Sequence, residues 1–122
     1  MKFTADSAQG NVIRSYQPGE LRVGDHTIRE HIIISQDRII HGWSPAPLSE
    51  LSVADFAPAL ELSPEIILLG TGRTQQFPSI SVLTELMQAG TAIEVMETSA
   101  ACRTFNVLIG ERRSVVAALL IE

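Results

Sequence analysis

The sequence predicts an α/β (α+β) domain of three layers, an N-terminal antiparallel meander followed by a β-α-β-α-β unit. Three observations predict it. Apolar residues alternate through His26–Ser35, with Ile28, Ile32 and Ile34 on one face and Thr27, Arg29 and His31 on the other, the period of a half-buried strand. Ile66-Ile67-Leu68-Leu69 is instead a continuous apolar run, as in a strand covered on both faces. Beyond it, strand-length apolar segments alternate with stretches of helical period, and glycines Gly90 and Gly110 stand where each helix should stop. Such alternation requires crossovers and a parallel arrangement.

Taken in order, residues 1–20 are polar and turn-rich, with Gly10 and Pro18-Gly19, and are expected to be weakly structured. Residues 21–43 are expected as antiparallel strands. Leu21–Val23 meets Gly24-Asp25, a glycine-first pair suited to a tight hairpin. His26–Ser35 is the next strand, Gln36-Asp37 a second two-residue turn, and Arg38–Trp43 a third strand ended by Pro45 and Pro47. The α/β unit spans 52–121. Ser52 with Asp55 reads as a capped helix start, Leu51 stapling onto Phe56, and Pro58 cuts that helix short or kinks it. A helix from about Ser79 should bury Ile80, Leu83 and Met87, with Leu86 beside them. Ala92–Met96 is a strand, Thr98 or Ser99 caps the next helix, and Ala101, Phe105 and Leu108 form its buried stripe. Val115–Ile121 is the last strand.

The bulk numbers narrow the function. At 122 residues and 45% apolar, the chain fits one domain, 1–122, with a core of its own. A net charge of −5 argues against nucleic acid, because phosphate binding needs a basic surface, although Arg103, Arg112 and Arg113 would make a local basic patch. One cysteine, Cys102, excludes an internal disulfide and fits a reducing, cytoplasmic setting. Met1–Ser7 has no apolar run and an early acid, so neither a signal nor a transit peptide is expected there. No run is long enough for membrane insertion.

Chemistry-bearing residues concentrate at two strand ends. Gly70-Thr71-Gly72-Arg73 follows one strand, and Thr98, Ser99, Arg103 and Asn106 follow the other, with Ser99, Arg103 and Asn106 on one helix face. Two such ends converge on a crevice in open α/β sheets, and the free N–H groups of the helix start suit a carboxylate or phosphate. The glycine pair departs from a dinucleotide fingerprint, and a turn that needs glycine is favoured over a nucleotide loop. The third glycine would fall at Gln75, the following helix starts late after Phe77-Pro78, and no Walker lysine is present. Glycines needed for the turn itself, and polar residues serving caps and neighbouring loops, are the competing account.

The remaining candidates are single residues. Cys102 lies in the first turn of its helix, where the dipole lowers a thiol pKa, yet no histidine is near it in sequence, and a small core residue is the simpler account. His26, His31 and His41 have no metal-ligand spacing, and no metal or other cofactor is expected. There is no nucleophile elbow, and among the scattered acids Glu97, at a strand end, is the best lone one, so no catalytic residue is assigned. Trp43 and Phe56 form either an exposed partner patch or a cluster buried on the sheet.

Four runs together resemble a known family: Glu65–Gly72, Glu94–Thr98, Ala100–Leu108 and Arg112–Leu120, with Tyr16-Gln17-Pro18-Gly19 and Trp43 extending the match upstream. It is an uncharacterised single-domain family whose eukaryotic relatives include mitochondrial complex I assembly factor 3. The resemblance implies a three-layer β/α fold with an extra β element, roles in complex assembly for the mitochondrial members, and no established catalytic residues. The expected function is therefore a non-enzymatic protein-interaction or assembly-type domain with a protein partner. The alternative is a small-molecule or anion-binding domain, enzymatic or not, using the crevice. A homodimer through an edge strand is a further expectation, since the meander leaves an edge.

Overall fold

The computed structural model describes residues 10–122. Two sheets and three helices form it. Strands β1 (Ile13–Gln17), β2 (Glu20–Val23) and β3 (His26–Ile28) make a three-stranded antiparallel meander in the order β1-β2-β3. Strands β4 (Ile32–Ile34), β5 (Ile39–Ile40), β6 (Ile66–Gly70), β7 (Ala92–Met96) and β8 (Val115–Leu119) make the main sheet in the order β5-β4-β8-β6-β7. Helices are α1 (Ala57–Leu60), α2 (Ile80–Gln88) and α3 (Thr98–Gly110), with 3-10 turns at Leu48–Glu50 and Val53–Phe56.

The main sheet is the middle layer, and alternation along its strands sorts the two cores. Ile32, Ile34, Ile66, Leu68, Val115, Ala117 and Leu119 point to one face, where they meet Ala101, Cys102, Phe105 and Ile109 of α3 and the inward residues of the meander. Ile33, Ile67, Leu69, Val116 and Ala118 point to the other, against Phe56, Ala59, Val82 and Leu86. Burial on both faces is why β6 and β8 are apolar without interruption. β6 pairs parallel with both β7 and β8, and β8 pairs antiparallel with β4.

Several sequence expectations need correction. Residues 13–17, expected to be weakly structured, form β1; the reading of Met1–Ser7 lies outside the described residues. His26–Ser35 is not one strand. The chain leaves the meander after Ile28 and enters the main sheet at Ile32. The alternation hides the break because Ile28, Ile32 and Ile34 all enter the same core from different sheets. The third strand is only Ile39–Ile40, though its register, Ile33↔Ile40 and Ile34↔Ile39, is that of the two-residue turn at Gln36-Asp37. Pro58 ends nothing: it stands in the first turn of α1, where its missing N–H is not needed.

The helix faces also differ. On α2 the buried residues are Val82 and Leu86, whereas Ile80 and Met87 are 79% and 63% exposed. On α3, Cys102 and Ile109 join Ala101 and Phe105 in the core, and Leu108 is only partly covered. Trp43 and Phe56 are buried together on the α2 face, ring centroids 6.1 Å apart, with the indole N–H donating to the Asp55 carbonyl at 2.8 Å. Asp55 also accepts from the Ser52 N–H at 2.9 Å, as the capping pattern requires.

Candidate functional site

Because β6 and β7 are parallel neighbours, the turns that follow them emerge side by side at the carboxyl end of the sheet, α2 returning over one face and α3 over the other. This is the place where the topology opens a crevice. The two turns are locked together by backbone and one hydroxyl. Thr98 N–H donates to the Gly72 carbonyl at 2.9 Å, and the Gly72 N–H donates to Thr98 Oγ1 at 2.8 Å. The same hydroxyl donates to the Leu120 carbonyl at 2.7 Å, so it joins β6, α3 and the end of β8.

That lock explains two of the seven sequence candidates structurally. Thr98 is fully buried and is no helix cap; Glu97 holds the cap position, and no side chain bonds the helix start. Gly70 is required by close approach: a Cβ there would lie 2.9 Å from both Thr98 Oγ1 and Leu119 Cδ2. Gly72 needs its freedom for a different reason, a left-handed φ of +93°. Asn106 is spent on the meander. Its side-chain amide donates to the Ile13 carbonyl at 2.7 Å and accepts from the Ile13 N–H at 2.9 Å, pairing with β1 as a neighbouring strand would.

Arg73, Ser99 and Arg103 remain at the surface of the crevice, which continues as adjoining cavities of about 480, 350 and 220 Å³. Arg73 forms no ion pair among the described residues, and Arg103 reaches Ser99 Oγ at 3.4 Å, while Ser99 Oγ donates to Glu97 at 2.8 Å. The other wall was not read in the sequence. It is the β1–β2 hairpin, which supplies Tyr16, Pro18 and Gly19, together with Glu122. Tyr16 donates its hydroxyl to the Glu122 carbonyl at 2.8 Å. Burial pushes the Tyr16 phenol up, with Cys102, Glu122 and Glu97 adding to the rise and Arg73 opposing it. The only sequence signal for this wall is Tyr16-Gln17-Pro18-Gly19, whose significance depended on the hairpin folding over the sheet end.

Cys102 is buried, and burial pushes its thiol up to about 12, with nearby Arg103 opposing the rise. Desolvation of the thiolate outweighs the helix dipole. The basic patch expected from Arg103, Arg112 and Arg113 is split, because α3 separates Arg103 from the other two. Arg112 and Arg113 instead line a cavity of about 630 Å³ with Arg38 at the opposite end of the sheet, where Arg113 Nε lies 3.7 Å from Glu65. His31 Nδ1 accepts from the Ile121 N–H at 2.9 Å, and His41 Nδ1 lies 3.2 Å from Glu30. Among the described residues, no three metal-ligating side chains cluster.

A family model described as protein of unknown function (DUF498/DUF598) matches residues 13–120. The chain belongs to this family. Its curated relatives include the zebrafish (Danio rerio) NADH dehydrogenase (ubiquinone) 1 alpha subcomplex assembly factor 3, 33% identical over 94% of this chain. The match covers 67% of that protein, and the chain spans about two thirds or less of the other assembly-factor relatives as well. A crystal structure of a Bordetella parapertussis protein is 30% identical and superposes with a TM-score of 0.83, covering 92% of this chain and 96% of the other. A Xanthomonas campestris protein solved by NMR is 34% identical with a TM-score of 0.82, covering 91% and 84%. The mixed α/β, three-layer expectation agrees with these neighbours. No helix among the described residues is long and apolar enough to cross a membrane.

Proposed function

We propose that this chain is an assembly-type, protein-binding domain that works by docking and in the cytoplasm, with no reaction of its own. The observation that carries the reading is the exposed apolar row Phe77, Ile80 and Met87, on α2 and the loop that enters it. Phe77 and Met87 are each 63% exposed, and three large apolar side chains left in water on one short segment mark a surface that is covered in use. The assembly-factor names of the relatives support the same reading and indicate its kind. Cross-linking of the tagged chain in cells through photoreactive leucine and methionine analogues, read by mass spectrometry, tests it. The expected result is a recurring protein whose cross-links fall within residues 74–96. No recurring protein under any growth condition overturns the proposal.

A second reading rests on Arg73 and Arg103, two guanidinium groups lining adjoining cavities and without ion-pair partners among the described residues. Here Arg73, Ser99 and Arg103 take a small anion such as a carboxylate or phosphate. Thermal unfolding against such compounds decides it: a rise in Tm that Arg103→Ala abolishes supports it, and no rise with any of them removes it.

A further inference from the structure

The apolar row is not isolated. It adjoins the free edge of the main sheet, because β7 is the outermost strand. The Ala92 N–H donates to the Glu65 carbonyl and the Met96 carbonyl accepts from the Thr71 N–H, so the even-numbered residues of β7 turn their backbone groups toward β6. Ile93 and Val95 therefore present theirs outward. The Val95 carbonyl is met only by the exposed side-chain amide of Gln75, at 3.1 Å. The side chains of β7 are sorted as well. Ile93 and Val95 pack toward the α2 face, and exposed Ala92 and Glu94 lie on the other.

Helical spacing puts Ile80, Leu83 and Met87 on one flank of α2, on the far side from Glu85. In a right-handed β6-α2-β7 crossover, with Val82 and Leu86 facing the sheet, that flank overhangs the free side of β7. Charge then selects the occupant. Glu94 stands on β7 itself and Glu97 follows its end, and from residue 74 to 102 the sequence has no lysine, arginine or histidine. A second copy would bring the same acids to the same edge, whereas a basic partner is complementary to it.

We propose that the free edge of β7 and the overhanging flank of α2 accept an extended segment of a partner protein as an added strand. Its alternate side chains are apolar, under Ile80, Leu83 and Met87, and basic, opposite Glu94. The inference deepens the protein-binding reading and rests on it.

Residue-resolved amide hydrogen exchange on the intact chain tests it, with two synthetic probes: a peptide alternating valine with lysine, and one alternating valine with glutamate. The valine–lysine peptide is expected to slow exchange at Ile93 and Val95 at least tenfold, the valine–glutamate peptide to leave it unchanged, and Glu94→Lys to reverse the preference. New protection confined to Arg73 and Ser99 overturns the edge assignment while the protein-binding reading stands. Protection of Ile93 and Val95 that grows with protein concentration and needs no peptide makes a second copy the occupant and also overturns it. So does the absence of protection with either peptide.

Discussion

Thr98 ties three elements with one hydroxyl, and a buried group so placed is costly to remove. Thr98→Val keeps the shape but leaves the Gly72 N–H and the Leu120 carbonyl without that partner. Unsatisfied buried groups cost about 1–3 kcal/mol each, so a loss of about 2–6 kcal/mol is expected, read as a fall in Tm of roughly 10 °C or more. A change of a degree or two would deny Thr98 this role. Cys102 gives a pH-dependent case. Its thiol is raised from 9.0 to about 12, so the folded protein holds the proton more tightly than the unfolded chain. Its contribution to stability is therefore full below pH 9 and is lost as pH rises toward 12. Native protein at pH 8 should resist alkylation until denaturant is added, whereas labelling at the rate of a free thiol would contradict burial.

At the scale of elements, α2 separates periodicity from burial. Ile80, Leu83 and Met87 have the spacing of a core stripe, but the core takes Val82 and Leu86. Leu86→Ala should cost about 2–5 kcal/mol as a core truncation, and Ile80→Asp with Met87→Asp about 0.5 kcal/mol or less per site, both measured by denaturant unfolding. The reverse order would restore the stripe to the core. The same helix shows what was legible in the sequence. A moment reports that one flank is apolar and not what that flank meets, so a docking surface and a core face look alike. β6, α3 and β8 were readable because their runs are buried on two faces or end in clear stops. β1 was not, because it is a polar strand held from outside by Asn106 and the Glu122 carbonyl, with the Ile121 carbonyl holding the turn that follows at Gly19. At the crevice, the sequence located both turns, but only packing shows that Gly72 and Thr98 form the lock, with Gly70 pressed against it, while Arg73 and Arg103 face water.

For the whole molecule, the two faces of the main sheet carry unequal loads. One is closed by α3 and the meander, which cross-link through Asn106. The other is closed by short helical pieces, and its outermost helix lies beside β7, an edge strand with its outer side unpaired. The proposed partner docks on that second side. The most direct measurement is the affinity of the partner identified by cross-linking for the wild-type chain and for Ile80→Asp with Met87→Asp, by titration calorimetry at matched folded fraction. Two anchor residues at about 1–2 kcal/mol each predict binding weaker by roughly a hundredfold, with Tm unchanged. Equal affinity for the two proteins would contradict the account and move the docking surface elsewhere.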